Sequence, residues 1–317
     1  MSADIFARND AVEVNPPTNL TIHITDHGSD WYWTAFALFS LFALLSAGAG
    51  FKLRPAHERL FFYSTILSAI FMAVTYFTLA SNLGWTDIPV EFNHVRTHVG
   101  NRAVEGIRQI FYARYVGWFL AFPAFIMSLG ALAGATWPTT LFTVFCQEVF
   151  VVNLLIGALI ESSYKWGYFV FGVVAYFLVA YNILFTFRKA SQNYESAVLR
   201  TNTFVGGGLV FLLFLYPICW GLSEGGNVIQ PDSEAAFYGV LDVLVFVVLN
   251  VVLQVLIKDV DFAKLGLITS STPLFHEKTP HSFESHPNNN SGPMEPNPAP
   301  APAAAPATTG DNAQNAV

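Results

Sequence analysis

The sequence is poor in charge. Asp, Glu, Lys and Arg together make up 12% of its 317 residues, which is about half the share found in an average soluble domain. Hydrophobic residues make up 53%, so too little polar surface remains to cover a water-soluble globule of this size. The same composition excludes a disordered or collagen-like chain. We therefore predict an integral membrane protein, with the lipid bilayer as its surroundings.

Cysteine and runs of basic residues are also scarce. The two cysteines, Cys146 and Cys219, both lie within apolar stretches, which excludes a disulfide framework and a cysteine-based metal site. The net charge is −7, and no run of Lys and Arg exceeds two residues. A nucleic-acid-binding surface is therefore not expected, and no metal site is predicted.

Stretches that lack Asp, Glu, Lys and Arg predict seven transmembrane helices, because a helix needs about 20 apolar residues to cross a bilayer. These spans cover Trp31 to Phe51, Leu60 to Thr86, about Phe111 to Trp137-Pro138, from there to about Ile160, Trp166 to Phe187, Thr201 to Ser223, and about Ala235 to Ile257. The predicted fold class is an all-α membrane protein, a bundle of seven transmembrane helices.

The chain divides into three segments by composition. Residues 1–30 are polar and contain no signal peptide, so we expect the first span to act as its own insertion signal. Residues 31–264 form the predicted membrane domain. Residues 265–317 are rich in Pro and Ala and lack the apolar content of a core, which predicts a disordered cytoplasmic tail.

The distribution of Lys and Arg favours an amino terminus outside the cell and a carboxyl terminus in the cytoplasm. In that orientation nine of these residues lie on the inner side and five on the outer side, as the positive-inside rule requires. Asn19-Leu-Thr21 is then a glycosylation sequon on the outer side.

Ionisable residues within predicted spans are rare and are candidates for function. Here they are Arg114, Glu148 and Asp242, while Glu224 and Glu234 flank the loop before the last span. A purely structural ion pair between Arg114 and Asp242 is equally consistent with the sequence. Glu148 follows Gln147, so one of the two faces the bundle and the other a neighbour; the sequence leaves open which.

Several motifs resemble the microbial rhodopsins, and in particular their fungal branch. These motifs are Arg114-Tyr-Val-Gly-Trp118-Phe-Leu-Ala-Phe-Pro123, Ser162-Ser-Tyr-Lys-Trp-Gly-Tyr168, Tyr216-Pro-Ile-Cys-Trp220 and the segment from Ser223 to Asp242. Their order and spacing extend the resemblance over about Trp31 to Lys264. The resemblance implies a bacteriorhodopsin-like bundle.

The chain departs from that family at the residues that carry its photochemistry. Light-driven members bind retinal through a Lys four residues after the last-span Asp, and that position is Phe246 here. No Lys occurs between Lys189 and Lys258. The family's proton-accepting carboxylate falls at Gly117, its neighbouring hydroxyl at Ala121 and its inner proton donor at Ser128. We therefore expect no covalent retinal, no other cofactor and no proton pumping.

Other family positions keep their residues. Asp242, Arg114, Tyr76 and Tyr216 match a hydrogen-bonded outer cluster. Trp118 and Trp220 match the walls of the retinal pocket, and Glu224 and Glu234 match outer proton-release carboxylates. We expect Asp242 to accept hydrogen bonds from the two tyrosines and to pair with Arg114 as a structural element, with a retained ligand or proton site as the alternative.

The resemblance also carries a functional expectation. The group that lacks the retinal lysine includes the small plasma-membrane heat-shock proteins of fungi. It implies a stress-linked accessory or chaperone-like protein of the plasma membrane, not an enzyme, with a membrane-protein client such as the plasma-membrane proton ATPase and with oligomers as an option. Two alternatives stay open: a passive ion or proton conduit or transporter, and a sensor that binds a small ligand without a covalent bond.

Overall fold

The computed structural model describes residues 9–53, 59–92, 94–95, 106–260, 262 and 265. Seven helices within these residues are long and apolar enough to cross a membrane, which confirms the predicted fold class. In chain order they are Asp26–Leu53, Leu60–Ala80, Tyr112–Ala133, Trp137–Ala158, Lys165–Ser191, Ser196–Gly225 and Pro231–Leu256. They are called the first to the seventh helix below. The predicted tail lies outside the described residues except for Leu265.

Two helix ends differ from the predicted spans. The first helix begins at Asp26, ahead of the apolar run, because acidic residues in a first turn are favourable at the positive end of the helix dipole. The second helix ends at Ala80, short of the predicted Thr86. Asn82 and Gly84 follow with φ of 54° and 70°, a left-handed conformation that stops a helix. Lack of charge therefore does not mark this helix end.

The predicted break between the third and fourth helices is confirmed. Gly134 has a φ of 65°, the left-handed conformation that commonly ends a helix. Pro138 lies in the first turn of the fourth helix, where its missing N–H has no partner to lose. The two helices are thereby joined by a short turn, which makes them antiparallel neighbours.

A small β-hairpin, which the sequence analysis did not predict, lies between the second and third helices. Strand β1, Thr86–Pro89, pairs antiparallel with strand β2, Ile107–Ile110, so that Ile88 lies opposite Arg108. The pre-helical segment adds to this sheet through a parallel bridge between Ile22 and Arg108. We call this end of the bundle the hairpin end and the opposite end the far end.

The helices form a closed bundle. The first four pack against their sequence neighbours, the first also contacts the seventh, and the sixth contacts the third, fifth and seventh. Three helices contain π-helical segments, at Asn182–Phe187, Gly221–Gly225 and Leu244–Val248. Such segments widen a helix locally and often occur at functional sites.

Apolar side chains cover both the inside and the outside of this bundle. Trp118, Trp220 and Tyr216 lie fully buried near its axis. On the outside, Leu44 is 72% exposed and Phe145 is 66% exposed. Large apolar side chains in such number on the outer surface indicate that lipid surrounds the bundle.

Candidate functional site

Asp242 lies on the seventh helix at the centre of a buried cluster of hydrogen bonds. Its Oδ2 accepts a hydrogen bond from Tyr76 Oη at 2.6 Å. Its Oδ1 accepts one from Tyr216 Oη at 2.7 Å and one from Trp118 Nε1 at 2.8 Å. All four residues are essentially inaccessible to solvent. The two expected tyrosine hydrogen bonds are thus in the structure, and the Trp118 indole adds a third donor.

The expected ion pair between Arg114 and Asp242 is wrong. Arg114 Nη1 instead lies 2.5 Å from Glu234 Oε1 and 3.6 Å from Glu224 Oε1. Its Nη2 donates to Tyr32 Oη at 2.6 Å. Within the described part of the chain, Asp242 therefore has neutral hydrogen-bond donors and no ion-pair partner within 4 Å.

Depth in the bundle explains this correction. Arg114 is the third residue of its helix, and Glu234 is the fourth residue of the seventh helix, so both lie close to the hairpin end. Asp242 comes eight residues after Glu234, about 12 Å further along the helix. Trp118, one turn deeper than Arg114, is the third-helix residue that reaches it. Counting residues from the helix ends would have identified Glu234 as the partner.

Arg108 completes the ion-pair network, although the sequence analysis did not identify it as a candidate site residue. It lies on strand β2 and is fully buried. Its Nη2 lies 2.6 Å from Glu234 Oε2, and its Nη1 donates to Asn227 Oδ1 at 2.6 Å and to the Ile229 carbonyl at 2.9 Å. Each carboxylate oxygen of Glu234 therefore forms an ion pair with a different arginine. No sequence signal marked Arg108, because the hairpin that carries it was not predicted.

Glu224 is the second carboxylate of this network. It lies in the π-helical segment that ends the sixth helix. Tyr115 Oη donates to its Oε1 at 2.8 Å and Tyr238 Oη to its Oε2 at 3.2 Å, while the Ser223 hydroxyl also bonds to Oε2. The guanidinium of Arg114 stacks on the Tyr238 ring at 4.4 Å. Two arginines and two glutamates thus form a buried, charge-balanced cluster at the hairpin end, which we call the ion cluster.

Phe246, at the position that the resemblance assigns to the retinal lysine, is completely buried. Its ring centroid lies 4.9 Å from that of Phe122. A phenyl ring has no amine to form an imine with an aldehyde. The residues present therefore do not fit covalently bound retinal.

The two expected pocket walls have their polar atoms engaged. The Trp118 ring meets Tyr216 edge-on at 5.0 Å. Trp220 donates through Nε1 to the Leu154 carbonyl at 3.0 Å and stacks on Phe169 at 5.2 Å. Both indoles thus contribute to the packed core.

The three positions of the family's proton relay are buried on the third helix but carry no titratable group. Gly117 lies against Thr75, and a Cβ built at Gly117 would overlap that hydroxyl. Ala121 is fully buried. Ser128 donates its hydroxyl hydrogen bond to the Phe125 carbonyl at 2.8 Å. No carboxylate fits at Gly117 unless Thr75 moves.

The structure also decides between Gln147 and Glu148. Gln147 is fully buried in the bundle, whereas Glu148 is half-buried, with its carboxylate oxygens covered. Among the described residues, neither side chain has a hydrogen-bond partner for its terminal atoms. Asn19, the sequon asparagine, is exposed with a φ of 64° at the hairpin end.

Comparison with known proteins places this architecture. The family described as bacteriorhodopsin-like protein matches residues 27–259. Solved structures agree: the light-driven proton pump of Leptosphaeria maculans has a TM-score of 0.69 at 25% identity, over 78% of this chain and 99% of that one. The light-driven proton pump rhodopsin of Coccomyxa subellipsoidea has a TM-score of 0.68 at 29% identity, over 74% and 98%.

Relatives from fungi are more similar in sequence. Protein YRO2 of Saccharomyces cerevisiae is 39% identical, with 89% of this chain and 84% of that protein covered. Opsin-like protein carO of Fusarium fujikuroi is 41% identical, with 84% and 87% covered. The 30 kDa heat shock protein of Saccharomyces cerevisiae is 39% identical, with 76% of each covered. The chain therefore belongs to the bacteriorhodopsin-like family, with fungal opsin-related proteins among its relatives.

Proposed function

We propose that this chain is a non-photoactive member of the family that acts in the plasma membrane as a stress-linked accessory or chaperone-like protein. The observation that carries the proposal is Phe246, buried and packed against Phe122 where a retinal lysine would stand. A relative named as a 30 kDa heat shock protein supports the link to stress. A stable bundle that does no photochemistry can serve another membrane protein through its surface.

The absence of photochemistry is tested by adding all-trans retinal to the purified chain. We expect no red-shifted visible band, because Phe246 offers no amine. The proton pump of Leptosphaeria maculans, treated in the same way, is the positive control. A stable band that hydroxylamine bleaches would contradict the proposal. Phe246→Lys alone should still pump little, because Gly117 cannot accept a proton.

The accessory role is tested by affinity purification of the full chain in mild detergent from heat-stressed and unstressed cells. We expect a membrane protein, with the plasma-membrane proton ATPase as the first candidate, to co-purify in amounts that rise after stress. The pump of Leptosphaeria maculans with the same tag is the control for unspecific capture. Equal recovery with that control, or no partner under either condition, would contradict the role.

A proton conduit is the second candidate, and the ion cluster favours it because buried charged networks often serve proton movement. Against a complete path, Phe122 and Phe246 pack together beyond Asp242 with no titratable atom. Proton flux into liposomes that contain the purified chain separates the two functions. We expect flux no higher than in empty liposomes; flux that Glu234→Gln abolishes would favour the conduit instead.

The orientation belongs to the same proposal, with residues 1–30 outside, residues 31–264 in the membrane and residues 265–317 in the cytoplasm. A tag placed after Val317 should resist external protease in intact cells. The exposed Asn19 should carry a glycan when the chain passes through the secretory pathway. Cleavage of the carboxyl-terminal tag in intact cells would reverse this topology.

A further inference from the structure

A cleft of about 220 Å³ lies between the fifth and sixth helices near the far end. Phe185 and Arg188 line it from the fifth helix, and Asn202, Thr203 and Gly207 line it from the sixth. The π-helical segment Asn182–Phe187 forms its fifth-helix wall. The cleft is separate from the ion cluster, which lies at the other end of the bundle.

Asn202 indicates that this cleft takes a polar group. Its side chain is only 1% exposed, yet neither Nδ2 nor Oδ1 has a hydrogen-bond partner among the described residues. Buried amides are nearly always paired, since an unpaired one retains the full cost of desolvation. An amide that lines a cleft and lacks a partner in the protein is suited to a ligand atom.

A larger groove of about 920 Å³ lies beside the cleft, between the sixth and seventh helices. It shares Thr203 and Gly207 with the cleft, and Arg200 lines its polar end. The rest of its lining is mostly apolar, with Phe204 and Phe211 from the sixth helix. At Gly207 an added Cβ would meet nothing within 4 Å in the described structure, so the glycine leaves open space where the two cavities adjoin.

The charge of the far end is complementary to an anion. The basic residues described there are Lys52, Arg59, Arg188, Lys189, Arg200 and Lys258, against the acidic residues Glu195 and Asp259. The hairpin end has the opposite balance. Its described basic residues are Arg108, Arg114 and Lys165, against the acidic residues Asp10, Glu13, Asp26, Asp30, Asp87, Glu91, Glu161, Glu224, Asp232 and Glu234. Basic pockets between transmembrane helices bind anionic lipid head groups. A phosphate ester is therefore the chemistry that fits the far end.

We propose that the cleft and the groove form one site for an anionic phospholipid. Its phosphate binds Arg188, Arg200 and the Asn202 amide, and one acyl chain lies along Phe204 and Phe211 past Gly207. The two arginines supply charge and the amide supplies a directed hydrogen bond. The apolar length of the groove distinguishes a lipid from a free phosphate. The site does not depend on the function proposed above.

Native mass spectrometry of the full chain in mild detergent tests the charge requirement. Phosphatidylserine and phosphatidylcholine with equal acyl chains are the probes, and the bound fraction of each is measured. We expect the wild type to prefer phosphatidylserine. In Arg188→Gln with Arg200→Gln this preference should fall about thirtyfold, on the basis of about fivefold for each basic residue near an anionic lipid. The control variant Lys52→Gln with Lys189→Gln removes two charges from the same end. Neither lysine lines the cleft or the groove, so this variant should keep the preference for phosphatidylserine.

Gly207→Leu tests the acyl chain. It fills the open space and should lower binding of both lipids at least tenfold, while Gly167→Leu, at another open glycine on the fifth helix, should leave binding unchanged. Thermal unfolding confirms that all variants are folded. Equal binding of the two lipids by the wild type, or no effect of the arginine pair, would overturn the proposal. Displacement of the lipid by millimolar inorganic phosphate would also overturn it, since the site would then be one for free phosphate.

Discussion

The two halves of the bundle bury polar groups in opposite ways. Toward the hairpin end, Glu234 binds Arg108 and Arg114 in a buried ionic network. Toward the far end, the axis is filled by packed rings such as Phe122 and Phe246. Beyond them the described structure has only neutral contacts on the axis, such as the hydrogen bond from Thr65 Oγ1 to Asn250 Oδ1 at 2.9 Å.

This difference shows that the two halves of the bundle respond differently to the loss of a side chain. A buried charge is tolerated when it is paired with an opposite charge. Truncating one partner is costly because the other charge stays buried without compensation. Apolar packing has no such constraint and accepts a change of side chain one position at a time. Substitutions in the charged half should therefore have coupled effects on stability. Substitutions in the apolar half should have separate, additive effects.

The largest expected effect is on the charged half. Glu234→Ala leaves Arg108 and Arg114 without their shared carboxylate, and should lower the free energy of unfolding by about 3–5 kcal/mol. Denaturant unfolding in detergent measures the loss. Glu161→Ala, which removes an exposed carboxylate at the same end, is the control and should change stability by less than about 0.5 kcal/mol. Equal effects of the two variants would remove the distinction between the halves.

The next effect concerns the apolar half. Phe246→Ala removes a fully buried ring that packs on Phe122, and should cost about 3 kcal/mol through lost contacts and the cavity left behind. Phe171→Ala on the outer surface, where the ring is 63% exposed, is the matched control and should cost under about 1 kcal/mol. The same unfolding assay applies. A loss at Phe246 no greater than at Phe171 would indicate a loosely packed axis.

A smaller effect is expected between the halves, at Asp242. Its partners are the neutral donors of Tyr76, Trp118 and Tyr216. Asp242→Asn keeps one acceptor oxygen and leaves no buried cation unpaired, so it should cost about 1–2 kcal/mol. Tyr76→Phe removes one of the donors and should have an effect of similar size. A loss of 4 kcal/mol or more in Asp242→Asn would instead mean that Asp242 is coupled to Arg114.

The smallest effect is expected at Glu148. The residue is half-buried, and both carboxylate oxygens are buried without a hydrogen-bond partner among the described residues. Glu148→Gln should not lower the free energy of unfolding, because no interaction within the chain is lost and a buried unpaired carboxylate becomes a neutral amide. Thermal unfolding of the wild type and of Glu148→Gln is compared at two protein concentrations. A clear loss that grows with protein concentration would mean that a second copy pairs with Glu148.

The helices were predictable because their signal is continuous along the chain. A bilayer requires long stretches without charge, and these stretches located all seven helices. The hairpin was not predictable in this way, since Thr86–Pro89 and Ile107–Ile110 are four residues each and lie far apart in sequence. Short strands depend on contacts that a local pattern does not contain.

The site was predictable in its residues but not in all its pairings. The two tyrosine partners of Asp242 followed from the resemblance and occur in the structure. The partner of Arg114 did not, because Arg114 was expected to lie at the depth of Asp242, whereas it lies nearer the hairpin end with Glu234. Arg108 was out of reach, since its burial depends on strand β2. Pairing thus required distances along the helix axes as well as residue types.

The contact between Gly117 and Thr75 has a consequence for substitution at position 117. A β-branched side chain such as Thr75 has little rotamer freedom in a helix, and its hydroxyl is held by the Phe71 carbonyl at 2.8 Å. Any residue larger than glycine at 117 must displace it. A proton acceptor at position 117 therefore requires a second change at position 75, which must come first. Glycine at 117 and threonine at 75 therefore constrain each other in this structure.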